Sequence, residues 1–145
     1  MKKFIVFTAI FFIGVFFAQE PIKNLSKEDI PIEVSNLVDI STVTFMIDTE
    51  PSFPGGMSAF RKEFSQNFDT SALEKTDGGT LKTVVYYVVE VDGSILYVKA
   101  IGENESFNKE AERTLKSIKT KYAPAKVNNL VVRHLLRMPL SMNFK

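Results

Sequence analysis

The sequence predicts an α+β fold: a β-α-β-β-α-β antiparallel sheet with two helices packed on one face. Three observations carry the prediction. Two β-rich runs flank Asp92-Gly93, apolar residues recur at helical spacing before and after that pair, and a long alternating run closes the chain.

The first strand is expected where Val43, Phe45 and Ile47 alternate with Thr44, Met46 and Asp48. Pro51-Ser52-Phe53-Pro54-Gly55-Gly56 breaks the chain, because two prolines and two adjacent glycines favour turns. A helix should follow, with Ser58 as N-cap and Met57, Phe60, Phe64 and Phe68 on one stripe. Between Thr80 and Ile101 a hairpin turning at Asp92-Gly93 is expected. Setting Val91 opposite Ser94 pairs Val89 with Leu96, Tyr87 with Val98 and Val85 with Ala100, an entirely apolar face. The opposite face then pairs Glu90 with Ile95, Val88 with Tyr97 and Tyr86 with Lys99, and is less polar than a freely solvated face.

The second helix is expected from about Phe107 to Tyr122, with Phe107, Ala111, Leu115, Ile118 and Tyr122 turned to the hairpin and Glu112, Lys116, Lys119 and Lys121 turned away. Pro124 ends it. The last strand should run from Leu130 to Phe144, with Val132, Leu136, Met138, Leu140, Met142 and Phe144 on one parity and Arg133, Arg137, Ser141 and Asn143 on the other. Pro139 donates no amide hydrogen, which puts this strand at a sheet edge or gives it a bulge.

Ahead of the fold, Met1-Lys2-Lys3 and an unbroken apolar run from Phe4 to Phe17 lead into Ala18-Gln19-Glu20, the pattern of a signal peptide. The run is fourteen residues long, short of the roughly 20 that span a membrane. Residues 1–18 are therefore read as a cleaved export signal, 19–40 as a poorly ordered lead-in with two prolines and scattered charge, and 41–145 as one domain. Loss of Lys2 and Lys3 leaves 16 basic against 17 acidic residues, net −1, so no global charge draws the protein to nucleic acid or an anionic membrane. Membrane association is expected only if the N-terminal segment stays attached.

Catalytic chemistry finds little material. There is no cysteine and one histidine, His134, which shares parity with the apolar face of the last strand and reads as a core residue. A Ser/His/Asp set can be drawn only by arbitrary choice among many Ser and Asp. The Pro-Gly-Gly segment has the look of an anion cradle but lacks the Lys-Ser/Thr ending of a phosphate loop. No enzyme activity, metal or cofactor is expected.

Phe53-Pro54-Gly55-Gly56, Asp92-Gly93, Glu110-Ala111-x-Arg113, Pro124-Ala125-Lys126-x-Asn128 and Pro139, in that order, resemble the TonB C-terminal domain family, most of all its form in Bacteroidetes-type bacteria. The resemblance covers about residues 50–145. It implies the β-α-β-β-α-β fold, a periplasmic location and binding of an extended segment of an outer-membrane transporter, or of another envelope protein, as an added strand. The chain departs from the family pattern at Phe68-Asp69-Thr70 in place of Tyr-Pro, at Tyr122 in place of Trp and at Asn129 in place of Gly.

The strand-addition site is carried over onto Arg133 to Met138 of the last strand, with Arg133, Leu135 and Arg137 as contact residues. Arg133 and Arg137 point outward, either to clasp a partner's carboxylate or simply to discourage aggregation. Tyr86, Val88 and Tyr97, on the hairpin's second face, read as a partner surface or as a patch covered by the lead-in. Two other roles stand beside peptide binding. One is a structural or assembly protein acting as a homodimer. The other is an energy transducer anchored by an uncleaved N-terminus, although no proline-rich linker and no ionisable residue within the apolar run supports it.

Overall fold

The computed structural model describes residues 15–17, 25–74 and 78–144, with 15–17 and 144 described through their backbone only. The protein is α+β, with a small antiparallel sheet and three helices among the described residues. In chain order these are β1 (Val15–Phe17), α1 (Ile32–Ser35), α2 (Gly56–Asn67), β2 (Gly79–Val89), β3 (Ile95–Ile101), α3 (Glu105–Ser117), β4 (Ala125–Val127), β5 (Leu130–Val132) and β6 (His134–Phe144). The main sheet runs β1-β6-β2-β3, and β4 and β5 form a separate two-stranded ribbon. The expected export signal 1–18 lies outside the described residues apart from the backbone of β1, and nothing described bears on its cleavage.

Residues Val85 to Val89 are buried on both faces of the sheet, which explains why five apolar or aromatic residues occur there in a row. On one face Val85, Tyr87 and Val89 join Val98, Ala100, Met138, Leu140 and Met142 beneath Phe60 and Phe64 of α2 and Phe107, Ala111 and Leu115 of α3. Phe53 fixes the chain ahead of α2, with its ring edge-on to Phe60 at 5.3 Å and to Tyr122 at 5.2 Å. The turn behind it closes with the Gly56 amide on the Phe53 carbonyl at 2.8 Å. Gly55, in the left-handed region at φ 82°, caps α2, so the helix starts two residues before the expected cap Ser58.

On the other face the lead-in covers Tyr86 and Val88, one of the two readings of that patch, but as ordered chain. The segment read as a poorly ordered lead-in forms a 3-10 turn at Lys27–Asp29, helix α1 and a second 3-10 turn at Ile40–Thr42. It buries Val34, Val38 and Val43 against Tyr86, Val88 and Leu135. The strand expected over 43–47 does not form. The chain there makes isolated bridges further on instead, at Thr49 with Lys126 and Ser52 with Ala123.

The hairpin keeps its expected pairs near Val85–Ala100 and Tyr86–Lys99, then slips. Val88 faces Leu96 rather than Tyr97, and Val89 faces Ile95 rather than Leu96. Two features cause this. The loop has three residues, not two, since the Glu90 amide donates to the Ser94 carbonyl at 2.9 Å and Gly93 sits at φ 82°. Tyr97, at φ 53°, then provides the compensating bulge.

Helix α3 stops at Ser117, short of the expected Tyr122, yet Ile118 and Tyr122 stay in the core as extended chain. The strand expected over Leu130–Phe144 is interrupted at Arg133, and its first part, β5, pairs with β4 across a turn at Asn128–Asn129. Asn128 and Asn129 hold φ 49° and 63°, the pair of left-handed residues that a two-residue hairpin loop requires. Asparagine tolerates that conformation better than most residues.

Candidate strand-addition site

β6 is an inner strand of the described sheet, between β1 and β2, and not the edge or bulged strand expected from Pro139. One side pairs with β2 along its whole length, from His134 opposite Val89 to Phe144 opposite Gly79. Pro139 lies in the middle, opposite Val84. A residue without an amide hydrogen is tolerated in so long a ladder when that position faces away from the neighbour. Alternation then turns the backbone groups of Leu135, Arg137 and Ser141 to the same outer edge. The Arg133 carbonyl, on that parity, agrees: it accepts from the Thr44 amide at 2.9 Å and not from β2.

Along the outer edge runs β1. It pairs antiparallel, with Val15 opposite Met142, Phe16 opposite Ser141 and Phe17 opposite Leu140. The edge thus accepts an extended chain from a part of the sequence more than a hundred residues away. It does so beyond Pro139, where consecutive outward amides resume.

At the other end of β6 stands a charged and aromatic cluster. The Arg133 Nε donates to both Glu90 carboxylate oxygens, at 3.0 and 2.9 Å, and its Nη2 donates to Oε1 at 2.8 Å. Its Nη1 contacts the Thr42 Oγ1, and the guanidinium carbon lies 5.5 Å from the Tyr97 ring centroid. The Glu90 hydrogen bonds hold the Arg133 pKa above its ordinary value. Next to it, His134 Nδ1 lies 2.7 Å from the Thr44 carbonyl. The cluster therefore pins the lead-in to the sheet.

Of the sequence-predicted contact residues, the structure brings Arg133 and Tyr97 together but commits Arg133 to Glu90. Arg137 is exposed on β6. Tyr86 and Leu135 are 7% and 1% exposed, under Val34 and Val38. They belong to the core and cannot serve as a partner surface, because the lead-in already covers them. The edge residues missed were Leu140, Ser141 and Met142. The sign that pointed to them was the parity of Pro139, which locates both the outer edge and the gap in its ladder.

The Glu110-x-x-Arg113 pair has a positional role. Glu110, 4% exposed, accepts from the Asp69 amide at 2.7 Å, from Arg113 Nε at 2.8 Å and from Thr114 Oγ1 at 3.1 Å. Burial pushes its carboxyl up, but Arg113 and these other donors outweigh that and leave the pKa below the ordinary 4.5. Arg113 also donates to the Asn67 carbonyl at 2.5 Å, so the pair fastens the end of α2 to α3. A shallow cleft of about 430 Å³ beside it carries both signs of charge, from Glu74, Glu105, Lys109 and Arg113.

No family model, curated protein or solved structure matches this chain.

Proposed function

We propose that this domain is a periplasmic protein-binding module of the TonB C-terminal type, which takes an extended segment of an outer-membrane transporter or another envelope protein as an added strand on the outer edge of β6. In this reading residues 1–18 are an export signal. The order α2-β2-β3-α3-β6, preceded by the bridged segment at Thr49 and Ser52, accords with a β-α-β-β-α-β unit whose first strand has shrunk to isolated bridges.

The observation that carries the proposal is the pairing of β1 with Leu140 to Met142, an extended chain already lying on that edge. Strand addition draws affinity from main-chain hydrogen bonds and selectivity from alternate side chains. Here Leu140 and Met142 belong to the helix-covered core, while Ser141 lies on the other parity. An incoming strand would thus set one row of its side chains beside an apolar row and the other beside Ser141 and Arg137.

The test is amide hydrogen exchange with peptides from the N-terminal segments of outer-membrane transporters. Binding should slow the Ser141 amide and its outward-facing neighbours while those facing β2 stay unchanged. Protection that depends on protein concentration and is indifferent to peptide would replace the proposal with homodimerisation.

A further inference from the structure

We infer that Asn108 and Glu112 of α3 are an edge guard: they take up the outward backbone groups of β3, bar a second copy of this chain from pairing there, and leave strand addition to the outer edge of β6. Closure of β3 stands by itself, and only its consequence for β6 rests on the strand-addition reading.

β3 ends the described sheet, and an edge strand presents amides and carbonyls on which another chain can pair. The bulge at Tyr97 spoils the first half of β3 as a template. Regular pairing with β2 resumes at Lys99, Ala100 and Ile101, and there alternation turns the backbone of Ala100 and Gly102 outward. Side chains of α3 cap both. The Ala100 amide donates to Glu112 Oε1 at 2.9 Å, and the Gly102 carbonyl accepts from Asn108 Nδ2 at 2.7 Å. Glu112, expected to turn away from the hairpin, is held over the edge by Lys99 and Lys116, each 3.8 Å from one of its oxygens. The spacings match, since residues four apart on a helix rise about 6 Å and residues two apart on a strand about 6.7 Å.

The two capped groups are each other's partners in a two-fold pairing. A second copy laid antiparallel about Ile101 would bring its Gly102 carbonyl to the Ala100 amide and its Ala100 amide to the Gly102 carbonyl. The same register sets Ile101 against Ile101 and Lys99 towards Glu103, apolar on apolar and cation on anion. Leu96 and Tyr97, 46% and 40% exposed, stand further along the same strand. Bare, this edge would suit a copy of itself. With the caps in place, pairing must first break two hydrogen bonds in each copy, one of them to a charged acceptor.

Sedimentation equilibrium and amide exchange compare the protein with its Asn108→Ala/Glu112→Ala variant, alanine being the residue that favours helix most. The variant should dimerise with a Kd at least tenfold below that of the unaltered protein. Its Ala100 amide should exchange at least tenfold faster when dilute and slow again when concentrated, while the Val85 and Tyr87 amides, which face β6, keep their protection and report an intact fold. Adding Glu103→Lys, which sets like charges together, should return the variant to monomer. Equal association in the two proteins, or association that Glu103→Lys leaves intact, would overturn the inference. If the Val85 amide loses its protection, Glu112→Ala alone takes the variant's place, with the same two readouts deciding. Association gained by the variant, with no transporter-derived peptide slowing the Ser141 amide of either protein, would overturn the strand-addition reading and leave the guard on β3 standing.

Discussion

Val85, Tyr87 and Val89 point into a core roofed by two amphipathic helices, whereas Tyr86 and Val88, their neighbours in the chain, lie under a segment with one four-residue helix and two short turns. Both roofs exclude water. Val34 and Val88 are as fully buried as Phe60 and Phe107. The difference teaches that closing a sheet face takes apolar side chains at the right places and backbone groups that are satisfied locally. A periodic element is one way to supply them. On the irregular side the work is done by the Asp39 carboxylate accepting from Ser41, by Thr44 on Arg133, and by Arg133 on Glu90 and Thr42.

Breaking each roof in turn should separate them most clearly. Phe60→Ala empties the helix-covered core and is expected to lower unfolding free energy by about 3–5 kcal/mol. Val34→Ala, under the irregular roof, should cost about 2 kcal/mol. Chemical denaturation checks both. In Val34→Ala, amides in residues 25–45 should also exchange well before those of β2, as a separately opening unit would. Equal losses with uniform exchange would mean that the two faces form one cooperative core.

Alkaline pH should act on the helix-covered face. The Tyr87 and Tyr122 hydroxyls lie 3.0 Å apart and are buried. Burial raises Tyr122 from 10.0 to about 12, and burial with the neighbouring Tyr122 raises Tyr87 well above 10. Since the folded pKa is the higher, the stabilisation is complete below pH 10 and is lost as pH rises through about 12. The loss from Tyr122 should be about 3 kcal/mol. Stability measured across that range, with tyrosinate absorbance in parallel, should show a fraction of tyrosines that ionise only as the fold is lost.

The smallest effect is expected at the lead-in's polar anchor. Glu90→Gln leaves the half-buried Arg133 without its charge partner and should cost about 1 kcal/mol, discounted for partial exposure. Faster exchange of the Thr44 amide would show that the anchor holds the irregular roof. Unchanged exchange would assign that task to Val34, Val38 and Val43 alone.

Much of the helix-covered face was legible in the residues. The apolar row 85, 87 and 89 with 98 and 100, the stripe of Phe60 and Phe64, and the row Phe107, Ala111 and Leu115 all reach one core, because the periods of strand and helix map directly onto burial. The slipped end of the hairpin was not legible. Asp92-Gly93 suits both a two-residue turn and a three-residue loop, and the choice lies with contacts from outside the hairpin. A Cβ at Gly93 would stand 2.0 Å from the Tyr122 carbonyl oxygen, and the Tyr122 amide donates to Gly93, so the chain after α3 helps to set the loop. The candidate site was half legible. Pro139 pointed to a sheet edge, yet β6 is paired on both sides in the described sheet, and of the two readings of Tyr86, partner surface or patch under the lead-in, the second holds.

By itself, then, the sequence determined the elements whose signals are local: the two longer helices and the paired strands β2 and β3. The tertiary structure alone decided which chain covers the second face, where the hairpin register shifts, and which stretch of β6 meets another strand. Those outcomes depend on contacts between residues far apart in the chain, such as Val34 with Leu135 or Phe16 with Ser141, and no periodicity within either partner encodes its distant neighbour.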